Sequence, residues 1–445
     1  MPSDVNTDKS DLRALLMLLA SIYMAGAALS FDTPLVVKIT AFYGITDSDF
    51  GFLLALTTFV IAISSAPWGY LADKYQRIKL IRISQGIIAV TMFLTGVCLQ
   101  WNLPYPVFFA VKLLSGVGLA SAGSVSTSAV MDTVPLSKRG AAFGWVGVGW
   151  ALGGAGGMLL PSVCMLLKLS LGATFLIGAA PGIAFTAALF FVKEPKRGAQ
   201  DEALKHLVGA GKAEYTHHIQ FSDIKTLLTK PTNILLMVAV MFFQFPGQVL
   251  AVWFVTFLMR NHGLDEFAST MLMFLAFVGQ PFGNAIGGAW TDSAYRWKRS
   301  GRLAAMIAMA VFSPVFLIAA MLLPFKWIYF VPLMILANFF IVAHGPGITT
   351  VSLEVNLPEH RGTISAILNI WASVSRALAW WIPPIIAAAF GGRYGRAFVI
   401  TAAAYAPLIA LYILVALRVE QDLDHVNIIL EDRAKKLSNY QLQHK

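Results

Sequence analysis

Three ionisable side chains, Asp32, His344 and Arg376, lie inside long apolar stretches of this 445-residue chain. A charge is costly in an apolar environment and persists there mainly where it faces a cavity or a partner. Asp32 is therefore a candidate proton carrier or partner for a cation. Arg376 should pair either with Asp32 or with an anionic solute group. His344 could carry a proton near neutral pH. The alternatives are a structural carboxylate and a satisfied buried histidine.

Uncharged polar and aromatic residues in the same kind of stretch are candidates for lining a solute cavity. They are Gln244, Gln248 and Trp253, followed later by Asn369 and Trp371. Aromatic residues in lipid are more often packing residues or interface residues, so this alternative stays open for the two tryptophans. Lys112 lies in another apolar stretch, near enough to one end that its ammonium group could snorkel to the interface.

No catalytic or metal-binding pattern accompanies these residues. The sequence has two cysteines, Cys98 and Cys164, in or beside apolar segments, and His217 and His218 are adjacent without an acid or cysteine framework. No cysteine and histidine cluster or carboxylate pair has the spacing that a metal site or an enzyme would need. The sequence therefore predicts neither an enzyme nor a bound metal or cofactor.

The elements that carry these residues are membrane helices, as the composition indicates. Hydrophobic residues make up 57% of the chain and charged residues 13%, and the mean hydropathy is +0.70. A membrane span needs about 20 apolar residues. This scale predicts an all-α membrane protein with twelve spans. They lie near 13–37, 48–71, 81–100, 105–131, 140–163, 171–192, 232–259, 267–291, 304–324, 327–352, 362–390 and 394–417.

Basic residues indicate the orientation of these spans. Loops with several Lys and Arg residues should be cytoplasmic. This places the protein in an inner or plasma membrane with both termini on the cytoplasmic side. The formal charge of +10 then reflects topology and contact with anionic lipid, not nucleic acid. Six cations contradict the bias, because they fall on the outer side. They are Lys38, Lys168, Arg260, Lys326, Arg393 and Arg396.

The chain divides into four predicted regions. Residues 1–192 and 232–417 form six-helix bundles, residues 193–231 form a cytoplasmic linker that ends in an amphipathic helix, and residues 418–445 form a cytoplasmic tail helix. The polar start lacks the basic region and cleavage site of a secretory signal, so the first apolar segment is expected to remain as a span.

An internal repeat relates the two bundles. Gly44, Gly69 and Asp73 return 219 positions later as Gly263, Gly288 and Asp292. A second pair, Asp132 with Arg139, returns 222 positions later as Glu354 with Arg361. Loops that recur in register over half the chain indicate two similar halves.

The loop from Gly69 to Leu80 resembles the signature loop of the major facilitator superfamily, G-x-L-x-D-R/K-x-G-R-R/K, with Gln76 in the place of the second glycine. The resemblance implies two pseudo-symmetric six-helix bundles that work by alternating access. It also implies a latch from Asp73 to the start of the eleventh helix at Gly362 and Thr363. The gating residues that it indicates are Gly69, Asp73, Arg77, Asp132, Arg139, Gly288, Asp292, Glu354 and Arg361.

Two narrower resemblances concern the branch of this superfamily. Gly149, Gly153 and Gly157 form a small-residue face for packing and hinge motion. That face resembles G-x-x-x-G-P-x-x-G-G of drug/proton antiporters without its proline. Residues 31–32, 42–51 and 116–120 resemble spinster-type lysolipid transporters and organic-anion symporters. Those relatives usually carry arginine in the place of Lys112 and an acid near Leu119, which this chain lacks.

These patterns together predict a monomeric secondary transporter that moves a small organic solute, with the proton as coupling ion through Asp32. One alternative is an exporter or flippase of amphiphilic, drug-like or lysolipid-like compounds. Another is a membrane sensor that binds its solute on the same scaffold without transporting it.

Overall fold

The computed structural model describes residues 9–126, 129, 139–192, 225, 227–357 and 360–443. The described residues form helices joined by short turns. The α-helices are α1 (Lys9–Ser30), α2 (Val36–Tyr43), α3 (Asp47–Lys74), α4 (Arg77–Gln100), α5 (Tyr105–Ser121), α6 (Arg139–Leu166), α7 (Leu171–Ala188), α8 (Pro231–His262), α9 (Glu266–Phe277), α10 (Gly279–Trp297), α11 (Gly301–Leu322), α12 (Trp327–Ala343), α13 (Gly345–Glu354), α14 (Arg361–Ala389), α15 (Tyr394–Ala402), α16 (Tyr405–Ala416) and α17 (Val419–Gln443).

Ten helical stretches of the described chain are long and apolar enough to cross a membrane. The shorter apolar helix α5 and the 29-residue helix α14 occupy the places of the predicted fourth and eleventh spans. Four of the spans consist of two consecutive helices, namely α1 with α2, α9 with α10, α12 with α13, and α15 with α16. Two of these breaks contain or precede a proline, Pro34 and Pro346 respectively. Proline interrupts a helix because it has no N–H to donate to the preceding turn.

The chain forms two compact units. The first comprises Met1–Glu214 together with Val255–Met271, and the second comprises Tyr215–Phe254 together with Leu272–Lys445. The long helix α8 therefore begins in the second unit and ends in the first. The predicted amphipathic helix at the end of the linker lies mostly outside the described residues.

In the first unit, the glycine face of α6 packs directly on α1. A Cβ atom at Gly153 would lie 2.3 Å from the carbonyl oxygen of Tyr23, and one at Gly157 would lie 2.1 Å from that of Ala27. Only hydrogen at these positions allows the two backbones to touch. The predicted packing role of this face is confirmed.

The second unit contains a similar contact that the sequence reasoning did not single out. A Cβ atom at Gly283 of α10 would lie 2.2 Å from the carbonyl oxygen of Phe339, and one at Gly287 would lie 2.0 Å from that of Ala343. Both carbonyl groups belong to α12. The four-residue spacing of small residues thus produces close helix packing in both units.

The tail forms the helix α17, whose apolar residues Val419, Leu423 and Val426 are buried. Polar contacts attach it to the remainder of the second unit. Lys230 pairs with Asp422 at 3.2 Å and Arg299 pairs with Asp424 at 2.6 Å.

Candidate functional site

Asp32 lies at the break between α1 and α2. Residues Thr33–Leu35 form a single 3-10 turn, in which the amide of Leu35 donates to the carbonyl oxygen of Asp32 at 2.8 Å. Pro34 cannot donate a hydrogen bond, so the regular ladder of the first span is interrupted here. The Asp32 side chain is only 6% exposed. The break thus places a carboxyl group in the interior of the first unit.

Lys112 of α5 is the partner of Asp32. Its Nζ lies 2.5 Å from Oδ2 of Asp32, and its side chain is 11% exposed. The expectation that Lys112 snorkels to the interface is therefore wrong, and Arg376 is not needed as the counter-charge of Asp32. The physical reason is that the attraction between two opposite charges in contact offsets part of the cost of burying each one.

The second carboxylate oxygen of Asp32 has no such partner. Oδ1 is buried and accepts no hydrogen bond from the described residues. The nearby hydroxyl groups of Thr91 and Thr95 donate to carbonyl oxygens of their own helix α4, at 2.8 and 2.7 Å. Oδ1 is therefore an acceptor whose lone pairs are available.

A cavity of about 20 Å³ adjoins this carboxylate, and it has room for one small polar group. Its lining residues come from α1, the break after it, α4, α5 and α7. They are Ala28, Phe31, Asp32, Ile88, Thr91, Met92, Thr95, Lys112, Ser115, Leu119 and Phe175. The ring of Phe175 packs on Phe31 at 5.0 Å and lies 5.9 Å from the ammonium group of Lys112. The ion pair thus lies in a mostly apolar chamber.

In the second unit, α14 carries a polar face in the middle of a long helix. Asn369, Ser373 and Arg376 follow at spacings of four and three residues, so they share one side of the helix. Asn369 is exposed and Arg376 is half-buried. Arg376 forms no ion pair with any of the residues that the structure describes. An arginine at this depth is a potential binding group for an anion.

Helix α8 packs against α14. The hydroxyl group of Ser375 donates to the carbonyl oxygen of Met241 at 2.6 Å. Gln244 and Gln248 lie one turn apart on α8 and are half-buried. These two amides and the polar residues of α14 stay candidates for binding solute in this unit.

The two candidate tryptophans differ in their surroundings. Trp253 is fully buried, stacks on Tyr394 with ring centroids 5.7 Å apart, and donates from Nε1 to the carbonyl oxygen of Ala379 at 3.2 Å. Its ring is thus enclosed by protein. Trp371, on α14, is half-buried.

His344 terminates α12 and is fully buried. Its Nδ1 lies 2.9 Å from the hydroxyl oxygen of Tyr412, and the edge of its ring meets Phe243 at 4.9 Å. Nε2 is buried without a hydrogen-bond partner among the described residues. His344 therefore links α12 to α16, and its predicted role in proton transfer stays a prediction.

Comparison with known proteins connects this geometry to a family. A family model described as Major Facilitator Superfamily matches residues 14–380. The chain belongs to the Major Facilitator Superfamily. Membership makes it a multi-pass membrane protein of a transporter family.

Two curated relatives match part of this chain in sequence. Protein spinster homolog 1 of Xenopus tropicalis is 30% identical over 230 residues, which is 49% of this chain and 40% of that protein. The multi-drug resistance efflux pump PmrA of Streptococcus pneumoniae serotype 4 is 29% identical over 178 residues, which is 39% of this chain and 43% of the pump. The chain thus spans less than half the length of these relatives.

Solved structures extend the likeness over nearly the whole chain. A bacterial homolog of the human lysosomal transporter spinster, in an inward-facing and unoccupied conformation, has a TM-score of 0.79 at 19% identity and covers 93% of this chain and 98% of that one. A D-xylose-proton symporter has a TM-score of 0.65 at 16% identity and covers 92% and 97%. The predicted twelve-helix major facilitator fold is confirmed.

Two of the residues predicted to belong to the gate, Asp292 and Glu354, meet at one arginine. Arg302, at the start of α11, contacts Asp292 at 3.0 Å and Glu354 at 2.5 Å. Its guanidinium group also lies 4.4 Å from the ring of Tyr295. The sequence indicated Asp292 from the pattern that returns after 219 positions and Glu354 from the pattern that returns after 222 positions. It did not identify Arg302 as their common partner. The available signal was its place in the basic loop that follows Asp292.

The other residues that were predicted to form the gate are described in part. Gly69 lies within α3, Arg77 begins α4, and Gly288 lies within α10. Asp132 and the side chains of Asp73, Arg139 and Arg361 lie outside what the structure describes. The latch from Asp73 to the eleventh helix therefore stays a prediction.

Proposed function

We propose that this protein is a secondary active transporter that moves a small organic anion by alternating access and couples its movement to protons through Asp32. The observation that supports this proposal is the buried Asp32–Lys112 pair with its available oxygen Oδ1. A carboxyl group in this setting can exist charged with the lysine or neutral with a proton. Two states of one group are what a coupling site requires.

The charge of the pair favours an anionic solute. While Asp32 is ionised, it neutralises Lys112. When Asp32 takes up a proton, Lys112 is left buried without a counter-charge, which is strongly unfavourable. An anionic solute group beside Lys112 removes that cost, so proton and anion bind more favourably together than either does alone. Arg376, which has no acidic partner among the described residues, is proposed as a second anion-binding group.

We further propose that the protein acts as a monomer in an inner or plasma membrane, with its basic loops and both termini in the cytoplasm. The basic residues around the 74–77 and 297–301 turns support this orientation. The two repeated acids that meet at Arg302 would then stabilise the cytoplasmic side of the second unit.

Export or flipping of an amphiphilic compound is the second candidate. The observation in its favour is the apolar lining of the chamber around Asp32, which includes Phe31, Ile88, Leu119 and Phe175. One matched relative is also named a multi-drug resistance efflux pump. A sensor would bind the same compounds without net flux.

The test uses the full-length protein in proteoliposomes that contain a pH-sensitive dye. A panel of organic carboxylates, zwitterions and lysolipids is added outside, and proton entry is recorded for each compound. Under this proposal, carboxylates drive proton entry in the parent. Asp32→Asn abolishes this signal and keeps the exchange of radiolabelled carboxylate. Proton entry that persists in Asp32→Asn would contradict the coupling role.

The role of Arg376 is tested in the same vesicles. Arg376→Gln should raise the KM for the carboxylate about tenfold or more, because a hydrogen bond to a charged group contributes about 1.5–3 kcal/mol. Arg393→Gln is the matched control, since Arg393 is an exposed arginine in the turn before α15. An equal KM in both variants would exclude Arg376 from solute binding.

A further inference from the structure

Two of the cations that contradict the charge bias, Lys38 and Arg260, are ion-paired. Nζ of Lys38 lies 3.0 Å from Oε1 of Glu266, and Nη2 of Arg260 lies 2.6 Å from Oδ1 of Asp47. Arg260 also donates to the hydroxyl oxygen of Thr40 at 3.2 Å. All of these residues belong to the first unit, because it includes Val255–Met271. They lie at the ends of helices away from the basic turns.

The backbone around the two acids is repeated. Gly44 and Gly263, which are 219 positions apart, both adopt a left-handed conformation, with φ of 63° and 66°. Each is followed two residues later by a helix cap, Thr46 before α3 and Asp265 before α9. The side chain of each cap accepts a hydrogen bond from the amide three residues on, at 3.1 Å and 2.7 Å. The same turn is therefore built twice.

Asp47 and Glu266 occupy equivalent positions in these turns. Each is the first residue of its helix, and they are again 219 positions apart. A carboxylate at a helix start is also favoured by the helix dipole. The cations are exchanged between the two turns. Arg260 precedes the second turn but binds Asp47 of the first turn. Lys38 precedes the first turn but binds Glu266 of the second turn. Neither copy pairs its own cation with its own acid.

A third contact accompanies the ion pairs. The hydroxyl groups of Ser162 on α6 and Thr270 on α9 are buried and lie 2.8 Å apart. Both acids are mostly covered, whereas Lys38 and Arg260 are partly exposed. Partly exposed ion pairs are individually weak. They are therefore suited to a contact that forms and breaks repeatedly.

We propose that Asp47, Arg260, Lys38 and Glu266 form a reciprocal clamp that closes the outer side of the transporter by holding Val255–Met271 against α2 and α3. The clamp is closed in this structure. This role in the transport cycle rests on the proposed function and on the predicted outer position of these residues. In such a cycle the clamp opens before solute reaches the interior from the outer side. The clamp thus accounts for the outer position of Lys38 and Arg260, two of the six cations that contradict the charge bias.

The clamp is tested by the accessibility of a cysteine at position 270, which does not depend on transport. Cys98 and Cys164 are replaced by serine, Thr270→Cys is introduced, and labelling by a membrane-impermeant maleimide is measured in proteoliposomes. Thr270 is fully buried, so the parent should label slowly. Asp47→Arg should raise the labelling rate about tenfold. The charge exchange Asp47→Arg with Arg260→Asp should restore the slow rate.

Neutral variants and a matched cation complete the experiment. Lys38→Gln and Glu266→Gln remove charge without creating repulsion and should each raise the labelling rate by a smaller factor. Lys168→Glu is the control, because Lys168 is exposed in the turn after α6 and has no ion-pair partner among the described residues. It should leave the rate unchanged.

Two results would overturn the clamp: a labelling rate in Asp47→Arg equal to that of the parent or of Lys168→Glu, or a charge exchange that fails to restore the slow rate. Either result leaves the flux assay of Asp32 unaffected. Conversely, a protein that shows no proton-coupled flux can still show the labelling pattern of the clamp. The two proposals therefore fail separately.

Discussion

Replacing Lys112 by methionine isolates the energetic role of the buried ion pair. Its Nζ lies 2.5 Å from Oδ2 of Asp32, and both side chains are largely buried. At an effective dielectric constant of about 20, the Coulomb attraction over this distance is about 7 kcal/mol. Desolvation of the two groups offsets much of it. Removal of one partner of such a pair still costs about 3–5 kcal/mol, because the other charge stays buried alone.

We therefore expect Lys112→Met and Asp32→Asn each to lower the free energy of unfolding by about that amount. The double variant, which buries no charge, should recover most of the loss. The assay is chemical unfolding of detergent-purified protein, analysed as a double-mutant cycle. Independent sites add within about 0.5 kcal/mol. A double variant whose loss equals the sum of the two single losses would refute the pairing that underlies the proposed coupling site.

Two further predictions concern packing and gating. Gly157→Ala should destabilise the protein by about 1–3 kcal/mol, because its Cβ would overlap the backbone of α1. Gly147→Ala on the same helix, where a Cβ meets nothing within 4 Å, should be neutral or slightly stabilising in the same unfolding assay. Arg302→Gln should lower the carboxylate flux and the thermal midpoint together, since Asp292 and Glu354 lose their common cation. Arg302→Lys should recover only part of both losses, because lysine cannot make the forked contact. A glutamine variant with parental flux and midpoint would exclude Arg302 from the gate.

The sequence alone determined the class of protein and its spans. Hydropathy summed over about 20 residues is a local property, so it located the spans without knowledge of the fold. The repeat was equally visible, because equal spacing of glycines and acids does not depend on packing. The packing face of α6 could be predicted for the same reason: Gly153 and Gly157 recur at the period of one helix side.

Only the tertiary structure decided the partners of the charged residues. Asp32 pairs with Lys112, and Asp292 and Glu354 share Arg302. A pairing depends on which helices are neighbours, how each is rotated and at what depth each side chain lies. Helix order within a bundle leaves no period in the sequence, and a break such as that at Asp32 changes the rotation of all residues beyond it. The sequence could therefore name the charges but not their pairs.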